Sequence, residues 1–306
     1  MAVQFTLAEC AWKTYLELGQ LTVNVATAGS TTTIVDSKAS NSGRTDQWKE
    51  GVAFIIEDSA GASAAPEGQY ARISGYTDGS GTWALDAALT AVVAAGDTYG
   101  VAAGGRYPFR TMIEIINKAI RSLGDIVTFD TTTLDTANNK TEYTIDKDWK
   151  RKGPIRVDIQ TRTGDSDDNR WYGVYNWEYI PAAPGSDGLM ILSGDLPSDF
   201  DLRVAYLDQH PRLNSFADVI DEAIHPELAV AACVEKALSW QNRKLRGRND
   251  HVKEEWNKAR SDLDELIGDF HVDRPQRVSP RLNLPRNYSQ QTYTGEVGKV
   301  NLGGRR

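Results

Sequence analysis

The sequence is poor in the residues that usually announce chemistry. Its 306 residues include two cysteines, four histidines and three methionines. Cys10 and Cys233 each lie inside an apolar helical pattern, which predicts buried free thiols in a reducing compartment. His210, His225, His251 and His271 show no HExxH, HxH or Cys-paired spacing, so no metal or catalytic role is read for them. The phosphate-cradling GxxxxGK[ST] and the nucleophile elbow GxSxG are both missing. Gly75, Gly79 and Gly81 lack the GxGxxG spacing of a dinucleotide loop, and within "SGYTDGSGTW" they predict a hairpin turn. Asp165, Asp167, Asp168 and Asn169 are acidic enough for a calcium loop but lack its central Gly and distal Glu, so a polar turn is expected. Carboxylate pairs are frequent and none is marked as an acid/base couple. A hydrolase with dispersed carboxylates therefore has little in its favour, and no cofactor is expected. Long apolar runs are missing too. No eighteen-residue apolar stretch occurs, and "MAVQFTLAEC" lacks a basic segment leading into an apolar one. Neither a membrane span nor a secretory signal is expected.

What is present is the composition of a folding chain, 40% hydrophobic and 25% charged,. The length allows two domains, or one core with large insertions. The charge is unevenly spread. Residues 271–306 hold seven of the 34 Lys/Arg and two of the 42 Asp/Glu, which leaves 27 basic and 40 acidic residues before them. An acidic body of −13 thus carries a basic tail of +5. Such a tail seeks an acidic partner surface or stays solvated.

Four helices can be placed by period and punctuation. Thr6 and Glu9 have the spacing of a capping box, followed by Leu7, Ala11, Tyr15 and Leu18 at helical spacing and a stop at Gly19. Pro108 opens a second helix that ends at Gly124. A third runs from about Pro226 to Gly247. The fourth, about Asp250–Ile267, carries a narrow seam of Val252, Trp256, Ala259, Leu263 and Leu266. A shorter helical piece is expected over Phe216–Ile224. Between the first two helices lie six short strand-like runs, from "LTVNVA" to "DTYGVAA", at the spacing of a small barrel or sandwich. A second set, from "TEYTIDK" to "DLRVAYLD", follows the second helix. The expected class is α+β. A small bundle of about four helices (residues 1–20, 106–124 and 212–270) carries two antiparallel β modules, 21–105 and 125–211, and a basic arm, 271–306. Each module is an excursion from the bundle, because loop-closure entropy grows only slowly with the length inserted.

Two stretches invite a functional reading. In "RWYGVYNWEYIP" alternation places Trp171, Tyr175, Trp177 and Tyr179 on one face of an extended strand. That face is either a stacking platform for sugars or bases, or the core side of a sheet. Stacking on DNA clashes with the acidic body. The platform reading, with Trp171, Tyr175 and Trp177, gives the alternative function of a carbohydrate-binding module of a phage tail or cell-surface protein. In the arm, Pro275, Pro280 and Pro285 and the lack of a helical period predict an extended segment. Leu282, Leu284, Tyr288 and Tyr293 would anchor it in a partner groove, with Arg274, Arg277, Arg281 and Arg286 meeting acidic groups.

"TTTIVDS" at 31–37, Trp48, "GVAFIIED" and "ARISGYTDGSGTWALDAALTAVVAAGDTYGV" at 71–101 together resemble a module of tailed-bacteriophage neck proteins. "INKAIRSLGDI" and "IHPELAVAACVEKALSW" extend the likeness, and the whole plan resembles head-to-tail adaptors (connectors). The resemblance implies a non-enzymatic virion protein, assembled in the host cytoplasm into a ring, twelvefold in that family, beneath the portal. Its expected partners are the portal protein, neighbouring copies of itself and a downstream neck or tail protein. Viral DNA would pass through the lumen without specific binding, which an acidic wall suits. No membrane partner is implied.

Overall fold

The structure is a computed structural model and describes residues 4–41, 43–61, 64–130, 141–145, 154–160, 171–180, 187–192 and 202–270. The chain is mixed α and β, with four helices and three antiparallel sheets among these residues, none of them closed. It divides into two compact units, one comprising residues up to 124 with 210–270, the other 125–209.

In the first unit the helices are α1 (Leu7–Glu17), α2 (Phe109–Ser122), α3 (Pro226–Lys244) and α4 (Asp250–Asp269). Thr6 caps α1, its Oγ1 accepting the Glu9 N–H at 3.2 Å. The reciprocal half of the box is not made: the Glu9 carboxylate instead takes Lys13 Nζ at 2.6 Å, one turn along,. Helix α3 is central and touches the other three helices. Its buried Ala229, Ala232, Cys233 and Ala237 let neighbours approach closely. Cys10 and Cys233 meet there as free, buried thiols, Sγ to Sγ 3.7 Å. The seam of α4 faces α3, and Trp256 Nε1 donates to Glu235 Oε1 at 2.8 Å. Phe216–Ile224 is not a helix. Asp218 accepts the N–H groups of Asn214 and Ser215, and Val219 bridges to Thr6 as a strand would. The segment uses its backbone at the entry to α1 instead: the Phe216 and Asp218 carbonyls accept the Ala8 and Leu7 N–H groups, and the Ile220 N–H donates to the Phe5 carbonyl, which removes groups a helical ladder would use.

The sheet of the first unit runs from β1 (Leu21–Val25) through β7 (Thr98–Ala102), β4 (Val52–Glu57), β5 (Tyr70–Thr77), β6 (Thr82–Leu85) and β3 (Thr33–Val35) to β2 (Ala28–Gly29). The hairpin between β5 and β6 closes at Gly81, whose φ of 58° favours glycine,. A β-carbon there would also stand 2.1 Å from the Asp36 carbonyl oxygen. Trp83 is central to the core, its ring 4.9 Å from Tyr76 and 5.2 Å from Tyr99. A second aromatic cluster joins sheet to helices. Phe54 of β4 lies 6.0 Å from Tyr15 of α1 and 6.2 Å from Phe109 of α2, and Tyr70 of β5 lies 4.7 Å from Phe109. Burial raises the Tyr70 hydroxyl to about 12, helped by the charge of Asp218,.

In the second unit β11 (Trp171–Val174), β10 (Pro154–Gln160), β14 (Leu202–Gln209) and β8 (Asp125–Asp130) form one sheet. The other is β12 (Trp177–Ile180), β13 (Gly188–Leu192) and β9 (Glu142–Ile145). Tyr143, Val157, Trp177, Met190 and Leu202 bring side chains of both sheets into one core.

Candidate interaction surfaces

The aromatic run does not form the face that alternation predicted. The chain leaves β11 after Val174 and re-enters as β12 at Trp177, in a different sheet. Trp177 is 3% exposed and belongs to the core between the two sheets, whereas Tyr175 is 56% exposed. Trp171, Tyr175 and Trp177 therefore do not share a surface. The period-2 pattern is interrupted at Tyr175–Asn176, and that interruption reassigns every ring after it.

A different constellation occupies the face around Trp171. Asp158, 1% exposed, accepts Arg156 Nε at 2.5 Å and Arg203 Nε at 2.9 Å. The Arg203 guanidinium lies 4.4 Å from the Trp171 ring and 4.5 Å from the Phe129 ring, a cation–π arrangement. Tyr175 folds over Gly173, where a β-carbon would meet its hydroxyl at 3.5 Å. Both carboxylate oxygens of Asp158 are engaged, so the network orders the sheet face and leaves no free acid. Alternation along β10 and β14 could have placed Asp158 and Arg203 on one face. Their pairing across strands needed the register.

Three of the four histidines lie among the described residues, and His271 lies outside them. His210, buried, accepts the Asp221 N–H at Nε2 (3.0 Å) and donates from Nδ1 to the Pro211 carbonyl (2.8 Å). His225 stacks on Phe270 with centroids 3.9 Å apart, and His251 pairs with Glu255 at 3.1 Å. Among the described residues no group of three His, Cys, Asp or Glu could hold a metal ion. Complete burial pushes the Cys233 thiol well up, as does its Cys10 neighbour, which keeps it from acting as a thiolate,. Among the described residues no helix is long and apolar enough to cross a membrane.

Among the described residues a groove of about 480 Å³ opens between α1, α3 and α4. Trp12 and Leu16 of α1, Val230 and Val234 of α3, and Ala259 and Leu266 of α4 make its apolar walls. Its lining also holds the exposed acids Glu17, Glu227 and Asp262, with Lys13, whose charge Glu9 already offsets. The groove was not foreseen, because each helix shows its inward seam in the sequence but not the gap left between three of them. The arm residues Arg274, Arg277, Arg281, Leu282, Leu284, Arg286, Tyr288 and Tyr293 lie outside the described residues. No protein-family model matches the chain, and no curated protein matches it.

Proposed function

We propose that the chain is a non-enzymatic virion structural protein, a head-to-tail adaptor that forms a ring beneath a phage portal and lets DNA pass. In this reading the helices are the bundle that frames the subunit, and the β segments are barrel- or sandwich-like modules hung on it. The observation that carries the reading is the way the chain leaves and regains its helices. It goes from α1 through seven strands to α2, and Phe54, Tyr70 and Phe109 tie the excursion back to the frame. A subunit built so gains docking surface while its core stays continuous. The charge division supports the same role, since an acidic body of −13 repels the phosphate of passing DNA,. The basic arm is the docking device toward the portal or a neighbouring subunit, and a downstream neck or tail protein closes the joint on the other side. The glycan-binding alternative loses its main support, because Trp177 is in a core.

The test is assembly on heads. The full chain should cosediment with portal-containing heads, and deletion of residues 274–306 should abolish that while leaving the melting transition unchanged. An arm-deleted chain that joins heads at wild-type occupancy would remove the arm from the function.

A further inference from the structure

We propose that the groove between α1, α3 and α4 is the receptor for the C-terminal arm of a second copy of this chain, with residues 281–288 as the inserted segment. The inference rests on the ring reading and names its subunit junction. Three observations carry it. The walls of the groove are apolar at Trp12, Leu16, Val230 and Leu266, and Leu16 is 46% exposed to water. Leu282, Leu284 and Tyr288 are the apolar side chains able to cover such walls,. The lining also holds the exposed acids Glu17, Glu227 and Asp262, and Arg281 and Arg286, on either side of Leu282 and Leu284, carry the opposite charge,. The arm also starts in the right place. Phe270 stacks on His225, the residue before Pro226 at one end of the groove. From there an extended chain reaches roughly 40 Å by Leu282, at about 3.3 Å per residue, enough to cross to an adjacent compact subunit.

A second copy is the occupant because arm and groove are unlike surfaces. Each copy offers one of each, so the junction is head-to-tail, the kind that closes rings of more than two subunits. An arm folded into its own groove would use both surfaces and join nothing.

The test mixes full-length variants and reads mass by sedimentation. E227K/D262K reverses exposed charges at the groove and keeps the arm. R281E/R286E reverses the arm. Each alone should weaken self-association at least tenfold, and the two sets combined in one chain should restore it. L282D/L284D disables the arm and keeps the groove. Mixed with E227K/D262K it should give one-to-one pairs and nothing larger, since only one arm and one groove remain competent. Monomers in that mixture, or an unmixed wild-type chain that stays monomeric, would overturn the junction. The adaptor reading could still stand on head binding through the portal alone.

Discussion

The two β regions are both built from short antiparallel strands and pack them differently. Residues 21–105 make one seven-stranded sheet, whose aromatic side chains continue into the helices through Phe54, Tyr70 and Phe109. The described residues of 125–209 make two smaller sheets around a core of their own, with an Asp–Arg–aromatic network on the other face of one sheet. The first region shares its packing with the helical frame, and the second is a compact unit by itself. Strand content alone therefore says little about how a β region is packed. What decides it is where the large aromatics point.

The largest expected effect breaks the first region. Trp83 is 2% exposed between Tyr76 and Tyr99, so Trp83→Ala should cost about 3–5 kcal/mol. Because that sheet is tied to α1 and α2, amide exchange should speed up in the helices as well. Trp177→Ala empties a comparable core, yet protection in α2 and α3 should stay at wild-type level. Equal loss of helix protection in both variants would erase the contrast between the regions. Next in size is Asp158→Ala, which strands Arg156 and Arg203. The cost should be about 2–3 kcal/mol, less than for a fully buried pair because both arginines reach water. A urea midpoint equal to wild type would show that the network is ornamental.

The helices were legible because punctuation and period agreed. Pro108 and Gly124 bracket α2, and the spacing of Val252, Trp256, Ala259, Leu263 and Leu266 marks the side of α4 that meets α3. Most strands were legible as elements too, although β2 and β8 were not among the expected runs and "RWYGVYNWEYIP" divides into β11 and β12. Their partners were not, since period 2 says which side chains share a face but not where a chain leaves its sheet. Tyr175 and Asn176 carry no glycine or proline to mark the exit. The segment Phe216–Ile224 failed differently: its apolar spacing suits a helix, but Phe216, Asp218 and Ile220 pair their backbone groups with Phe5, Leu7 and Ala8, a long-range contact that local spacing does not show.

Smaller effects sharpen the contrast. Trp256 is only half-buried and makes one hydrogen bond to Glu235. Trp256→Ala should therefore cost about 1–2 kcal/mol by thermal melting, well below Trp83→Ala. The smallest concerns acid. Burial alone would raise the carboxyl of Asp97, but N–H bonds from Ser59 and Ala94 outweigh it and hold it below its ordinary range. A depressed folded value gives a stabilisation that is fully present above the unfolded carboxylate value of about 3.9 and is lost as pH falls through the folded value. Asp97→Asn should flatten that acid limb in denaturation between neutral and strongly acidic pH. An unchanged limb would assign the acid sensitivity elsewhere.

In the proposed role, copies of this chain form a ring where head meets tail. Electron microscopy of the full-length protein, added to portal-containing heads that lack tails, tests it most directly. The expected result is a closed ring of subunits coaxial with the portal, with an open channel along its axis. Heads with bare portals, beside protein that remains dispersed at saturating concentration, would contradict it.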